Sequence, residues 1–324
     1  MASEPATLPS IGVGTWAWGN QFLWGYDPAL DQQLAATFQR CLDLDLCFFD
    51  TADSYGTGRW NGRSEQLLGQ FAAGLPPAQR SRCCIATKLA PFPWRLGRRG
   101  FDRAFKASRQ RLQGKLDRVQ LHWSTARYAP WQEPPLLRGL ADLVGSGQVA
   151  SLGLSNLGPI RLRQVVAQLA DQGVAVASLQ VQLSLLAPEA VAPGGVAQVC
   201  QELGIQLIAY SPLALGLLAR APDQAAAAPK GPRGSLFRQL KPGLGPLLDT
   251  MAAIAAGHGS DLAAVALNWC RAHGAMPIPG LRRPDQVDAA AAARRWQLSL
   301  AERQLLDQLV LTGPRMPINP FQSR

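Results

Sequence analysis

Short apolar runs rich in β-branched and aromatic residues recur along the chain, and stretches with helical periodicity separate them. Strands are predicted near 11–15, 47–50, 83–87, 118–122, 151–154, 178–182, 206–210 and 275–278. Helical patterns fall between them, for example at 30–42, 64–71, 103–113, 136–144, 160–169 and 262–271. Eight strands alternating with helices, with no internal linker, predict a single α/β domain over residues 1–324, a closed parallel (β/α)8 TIM barrel. An open doubly wound sheet is the competing arrangement. Two segments exceed ordinary loop length. Residues 213–245 are rich in Ala, Pro, Gly and basic residues, and loops that long usually serve function. The tail from Thr312 to Arg324 carries Pro314, Pro317 and Pro320 and cannot be helical throughout. Both suit flaps over the C-terminal rim.

Composition narrows the picture. Hydrophobic residues are 47% of the 324 and charged residues 17%, which suits a large core and argues against disorder. No apolar run reaches the roughly 20 residues a membrane helix needs, and residues 1–9 lack the basic and apolar regions of a signal peptide. A cytoplasmic protein is expected. None of the six cysteines, Cys41, Cys47, Cys83, Cys84, Cys200 and Cys270, sits in a C-x-x-C or beside a His, so no metal site is expected. The net charge of +10 raises nucleic acid as a partner. The densest basic run, Arg95 to Arg111, carries no nucleic-acid motif and reads as a solvated helix face or a field that steers a polyanion.

Gly12-Val13-Gly14-Thr15-Trp16-Ala17 matches a dinucleotide-binding pattern, but that pattern needs a helix to open directly after it. No helical periodicity begins before Pro28, and the match is rejected. A stronger constellation follows. Asp50 ends the second strand, with Tyr55 five residues on; Lys88 ends the third and His122 the fourth. Active sites of βα barrels lie at the strands' C-terminal ends, so one rim collects all four. Reducing a carbonyl needs hydride at carbon and a proton at oxygen. A nearby ammonium favours ionised Tyr; Lys88 would supply it, Asp50 would hold Lys88, and His122 would orient the oxygen. Trp16, Trp18, Trp60, Trp94 and Trp123 follow the first four strands, where they either wall a pocket for a flat or apolar carbonyl compound or pack loops. His258 and His273 each precede a Gly at a helix end and read as C-terminal caps.

These segments carry a resemblance. Phe49–Gly56, Ser64–Gly69, Ala86–Lys88, Leu121–Trp123, Gly153–Asn156, Tyr210–Leu213 and Pro277–Gly280 resemble the aldo-keto reductases nearly end to end. Gly12–Trp18, Trp24–Asp27 and Pro91–Arg95 are similar to a cyanobacterial and plant-chloroplast branch akin to pyridoxal reductases. The resemblance implies Tyr55 as proton donor, with Lys88, Asp50 and His122 in support, and NADPH/NADP+ as cofactor. It further implies that Ser155, Asn156 and Gln180 hold the nicotinamide carboxamide and that Tyr210 stacks on the ring. Ser211, Leu213 and Arg233 would line the pyrophosphate; Gly280, Arg282, Arg283 and Gln286 would meet the adenosine end, the arginines reading its phosphate. Ala289 and Ala290 depart from the Glu-Asn of many members. The expected partner is a small carbonyl substrate, possibly aromatic, with no nucleic acid or membrane; the oligomeric state stays open. The alternative is an NADPH-binding regulatory subunit with little turnover, and a metal-dependent or Schiff-base lyase finds no support beyond Lys88.

Overall fold

The computed structural model describes residues 11–220, 229 and 231–323. Eight parallel strands run in sequence order: β1 Val13–Gly14, β2 Phe48–Asp50, β3 Cys84–Leu89, β4 Arg118–Leu121, β5 Ser151–Ser155, β6 Val176–Gln182, β7 Gln206–Tyr210 and β8 Ala275–Ile278. The ring closes through a parallel bridge between Gly14 and Gly280, with Gly12 N and Gly14 N donating to Pro277 O and Pro279 O at 3.0 and 2.9 Å. The open doubly wound alternative is thereby excluded. The glycines of the rejected motif serve this closure. A Cβ on Gly14 would lie 2.8 Å from Ile278 O, and one on Gly12 would lie 2.8 Å from the Phe48 ring.

The crossovers pack α1 Asp31–Asp43, α2 Arg63–Ala73, α3 Asp102–Arg111, α4 Glu133–Gly145, α5 Pro159–Ala170 and α6 Val196–Glu202 around the strands. Beyond β7 come α7 Pro232–Leu240, α8 Gly245–Gly257 and α9 Leu262–Ala272; α10 Pro284–Ala293 and α11 Leu300–Thr312 follow β8. Each crossover helix turns an apolar stripe inward, as Leu34, Phe38 and Cys41 do on α1. The main core lies between strands and helices. A smaller apolar layer, including Phe48, Ala86, Ile208 and Met276, fills part of the barrel itself. Cys83 and Cys84 divide between the two as strand alternation requires, Cys83 in the outer core and Cys84 against the inner layer. All six cysteines are free thiols, and burial pushes the Cys83, Cys84 and Cys200 thiols up to about 12, 11 and 12.

Two expectations change. A one-turn helix, Gln21–Trp24, precedes Pro28 because Asn20 caps it and Gly25 ends it in the left-handed region. The segment expected as one long loop carries a 3-10 turn, Ala214–Ala219, and α7, whose first residue is Pro232. Pro pre-sets the first helical turn there, a signal that the Gly- and Ala-rich composition masks. Ala225–Ala228 lie outside the described residues. The tail does cross the rim: Met316 N donates to Leu186 O and Ser323 N to Asn156 O. His258 and His273 cap α8 and α9, bonding to Glu302 and Asp307. In the basic run, Arg95, Arg98, Arg99 and Arg111 pair with Asp53, Asp142, Asp102 and Glu65, so much of its charge is locally neutralised.

Candidate active site

Strand alternation aims Asp50, Lys88 and His122 into the barrel mouth. Asp50 Oδ1 takes a hydrogen bond from Lys88 Nζ, which also donates to Thr51 O at 2.9 Å. Both side chains are almost fully buried. Lys88 Nζ lies 4.9 Å from the Tyr55 ring centroid, and the His122 ring stands 5.9 Å from Tyr55 at 71°. Burial opposes a charged Lys88, yet Asp50 and Tyr55 outweigh it and raise its pKa. The ammonium is therefore present at any ordinary pH. His122 is held well below the usual imidazole range by burial, then by Lys88 and Arg95. It is a neutral ring whose buried Nδ1 has no hydrogen-bond partner, an arrangement that leaves a ring nitrogen for a ligand oxygen.

Tyr55 requires a correction. Lys88 was expected to lower its pKa, and it does pull that way, but burial is the larger influence and Asp50 reinforces it. The phenol is raised and keeps its proton. That suits an acid that gives up the proton only when charge develops on a bound oxygen.

The expected cofactor residues gather beside this group. Asn156 and Ser211 directly follow β5 and β7 with φ of 61° and 52°, left-handed backbone that non-glycine residues rarely adopt and that clusters at functional sites. Asn156 Nδ2 donates to His122 O at 3.0 Å and Ser155 Oγ at 3.2 Å. The Tyr210 hydroxyl donates to Asn156 Oδ1 at 2.9 Å. From the tail, Asn319 Nδ2 reaches the Tyr210 oxygen at 2.6 Å and Asn156 Oδ1 at 3.1 Å. Gln180 sits deeper than a pure cofactor contact would, its Nε2 donating to Asp50 Oδ2 at 2.8 Å. Leu213 heads the 3-10 turn, and Arg233 reaches back to it, NH2 donating to Leu215 O at 2.8 Å.

Arg233 fits an anionic ligand best. Its guanidinium lies 4.0 Å from the Trp24 ring centroid, and its buried Nε has no partner. Burial, then Arg282 and Arg220, lower its pKa to about 10. No carboxylate pairs with Arg233 or Arg282 among the described residues. Such a cluster suits the phosphate groups of a polyanion, which would relieve the mutual repulsion. At the adenosine end the expectation changes. Arg283 is committed to Asp285, its Nε and NH2 each donating to a carboxylate oxygen, because a one-residue spacer lets the fork close locally. Arg282 turns toward Trp24 O, while its backbone N–H donates to Gln286 Oε1 at 2.8 Å. Gln286 thus shapes the loop after Gly280, and Ala290 is core rather than rim.

The tryptophans divide as well. Trp16 stands 6.5 Å from Tyr55. Trp123 packs 5.1 Å from His122 and stacks 4.5 Å from Phe321 of the tail, with Phe92 edge-on at 6.0 Å. Trp94 stacks on Phe92 at the surface. Trp18 is core, its Nε1 donating to Leu281 O, and Trp60 packs against Tyr26. Gln120 is a residue for which the sequence reading assigned no role; its Nε2 donates to Asp50 Oδ2 at 2.9 Å. Its position two before His122 on one strand was the available signal.

Residues 10–310 match the aldo/keto reductase family. The chain belongs to that family. It is 44% identical over 327 residues to a chloroplastic pyridoxal reductase of Arabidopsis thaliana, covering 99% of this chain and 88% of that protein. A 6-dehydroglucose reductase of Novosphingobium aromaticivorans is 30% identical over 304 residues, 88% of each chain. Among solved structures, an aldo/keto reductase from Klebsiella pneumoniae in complex with NADP and acetate superposes with a TM-score of 0.73 at 27% identity, covering 98% of this chain and 96% of that one. This chain is accordingly an NADP-dependent oxidoreductase that reduces an aldehyde or ketone to an alcohol.

Proposed function

We propose that this reductase acts on a flat aromatic aldehyde, pyridoxal or a close analogue, with NADPH, and that it works in the cytoplasm. The observation that carries the reading is a candidate proton donor bordered by aromatic rings: Tyr55 lies beside Lys88 and neutral His122, with Trp16 6.5 Å from Tyr55 and Trp123 5.1 Å from His122. The similarity to a pyridoxal reductase supports the substrate class. When bound, the reduced nicotinamide supplies the hydride. The chain's own residues do the rest. Tyr55 gives its proton to the carbonyl oxygen, and Lys88, held by Asp50, stabilises the charge left behind. A ring nitrogen of His122 bonds the same oxygen and fixes its approach. Ser155, Asn156 and Tyr210 would receive the nicotinamide, Ser211, Leu213 and Arg233 the pyrophosphate, and Gly280 and Arg282 the adenosine end. Gln180 would share its amide between carboxamide and Asp50. A regulatory subunit would have no need of the intact donor group.

The test is a screen of carbonyl compounds that follows NADPH absorbance. Pyridoxal and planar aromatic aldehydes should outrank aliphatic aldehydes and sugars of equal reactivity in kcat/KM. A preference for sugars would overturn the substrate class. Cofactor oxidation undetectable with every carbonyl, in single turnover as well, would overturn the enzyme reading.

A further inference from the structure

We propose that Gln120 is a positioning residue of the reduction, fixing Asp50 from inside the barrel so that Lys88 stays aimed at Tyr55. The proposal rests on the reductase reading of the site. Gln120 is fully buried on β4, where alternation turns Arg118, Gln120 and His122 into the barrel and Leu121 out. Its strand neighbours in register are Lys88 on β3 and Gly153 on β5. It thus lies level with Lys88 and one step below His122, Ser155 and Gln180.

The hydrogen bonds give it a task. Asp50 uses one oxygen for Lys88 and presents the other to two amides, Gln120 Nε2 at 2.9 Å and Gln180 Nε2 at 2.8 Å. A carboxylate bonded only to Lys88 could turn about its side-chain torsions and carry the ammonium with it. Two further donors on Oδ2 remove that freedom. Their roles differ, because Gln180 sits in register with Ser155 at the cofactor edge and its amide is open to sharing with a bound carboxamide. Gln120 lies deeper, and its hold on Asp50 persists whatever the cofactor does.

The side chain's own disadvantage points the same way. Gln120 Oε1 is buried without a partner, and a buried unsatisfied carbonyl is costly. Flipping the amide would set that oxygen against the Asp50 carboxylate, so the charge dictates the orientation. An apolar side chain would carry no such cost, and Phe48, Ala86, Ile208 and Met276 fill the neighbouring interior. The donor is what an apolar residue lacks. Gly153 makes room for it: a Cβ there would lie 2.9 Å from Gln120 Cγ and 3.0 Å from its Oε1. The charged groups nearest this amide are Asp50, with Lys88 beside it, and Arg118 two residues back on the same strand, which bonds to Ser151 and Ser178.

Gln120→Met and Gln120→Glu in the full chain test this, with NADPH and a planar aromatic aldehyde. Gln120→Met keeps the volume and removes the donor. Its single-turnover rate should fall by about tenfold or more, the scale of one hydrogen bond to a charged group. KM and the NADPH Kd should stay within about twofold, the split expected when only transition-state geometry suffers. In Gln120→Glu, the neighbouring Asp50 and burial both favour the protonated acid, which can donate to Asp50. That variant should approach wild-type rate at low pH and lose it as pH rises through the new acid's pKa, a limb absent from Gln120→Met. A wild-type rate in Gln120→Met overturns the proposal. Equal slowing of both variants at every pH also overturns it, since that shows Gln120 only fills space. Should Gln120→Met fail to fold, the pH response of the isosteric Gln120→Glu decides alone. Tyr55→Phe is the parallel control: if it still reduces the aldehyde, the donor assignment has failed rather than the role of Gln120.

Discussion

Replacing Lys88 with Met isolates the contribution of one buried charge to proton donation. The ammonium sits 4.9 Å from the centre of the Tyr55 ring, and water is excluded from both Lys88 and Asp50. At an effective dielectric of about 20, a unit charge at that separation stabilises a developing tyrosinate by roughly 3 kcal/mol. Every 1.36 kcal/mol at the barrier is about tenfold in rate, so the reduction step should slow on the order of 10²-fold. Asp50, left without its partner, then acts against the reaction, because its negative charge raises the Tyr55 pKa. The loss should therefore reach at least that size. Stopped-flow single turnover, mixing enzyme loaded with NADPH against excess aldehyde, measures the step directly. A primary isotope effect with cofactor deuterated at the transferred hydrogen establishes that chemistry is being observed. A Lys88→Met variant within tenfold of wild type under those conditions would refute the reasoning, since the field at Tyr55 could not then matter to proton transfer.

Tyr55→Phe should bind NADPH as wild type does and lose about 10²–10⁴-fold in reduction, the usual contribution of a general acid; retention of a tenth of the rate would remove the assignment. Burial, only partly offset by Arg95, raises Asp53 to about 6, well above an unfolded carboxyl near 3.9. A carboxyl so raised stabilises the fold while protonated, and that contribution is lost as pH rises from about 4 through 6. The difference is about 3 kcal/mol. Urea denaturation across that range should show Asp53→Asn gaining stability relative to wild type as pH rises, and parallel curves would contradict it. Arg233→Ala should weaken NADPH and NADH alike, Arg282→Ala should weaken NADPH more than NADH, and Arg283→Ala should change neither, because its fork is held by Asp285. Titration of both cofactors into each variant decides the assignment, which fails if Arg283→Ala loses as much NADPH affinity as Arg282→Ala.

The barrel was legible because its strands are buried on both faces and announce themselves as apolar runs; β7 and β8 fall at the residues the pattern gives. The first strand shortens to Val13–Gly14, since a two-residue pairing suffices where glycines let backbones approach. Helix α8 escaped notice for a related reason. Its Ala- and Gly-rich sequence is apolar nearly all round, and a sequence without a polar face has no period to read. That Asp50, Tyr55, Lys88 and His122 come together was legible from their place at strand ends. Their energetics were not, because the balance between burial and the Lys88 field at Tyr55 depends on how much water the fold removes.

Side-chain commitments mark where reading a sequence stops. Arg282 and Arg283 are adjacent, equal in charge and equally suited to a phosphate by residue type. Their partners separate them: Asp285 closes on Arg283 two positions away, while Arg282 reaches across the barrel mouth to the carbonyl of Trp24. Trp24 also carries the Arg233 guanidinium on its ring and meets Trp16 edge-on at 6.1 Å, and Trp16 in turn flanks Tyr55. An anion drawn to Arg233 and Arg282 would thus touch both groups that seat Trp24, at one end of an aromatic chain whose other end is Tyr55. The proposed phosphate site and the surroundings of Tyr55 would be joined through one side chain, on a one-turn helix that no periodicity foretold.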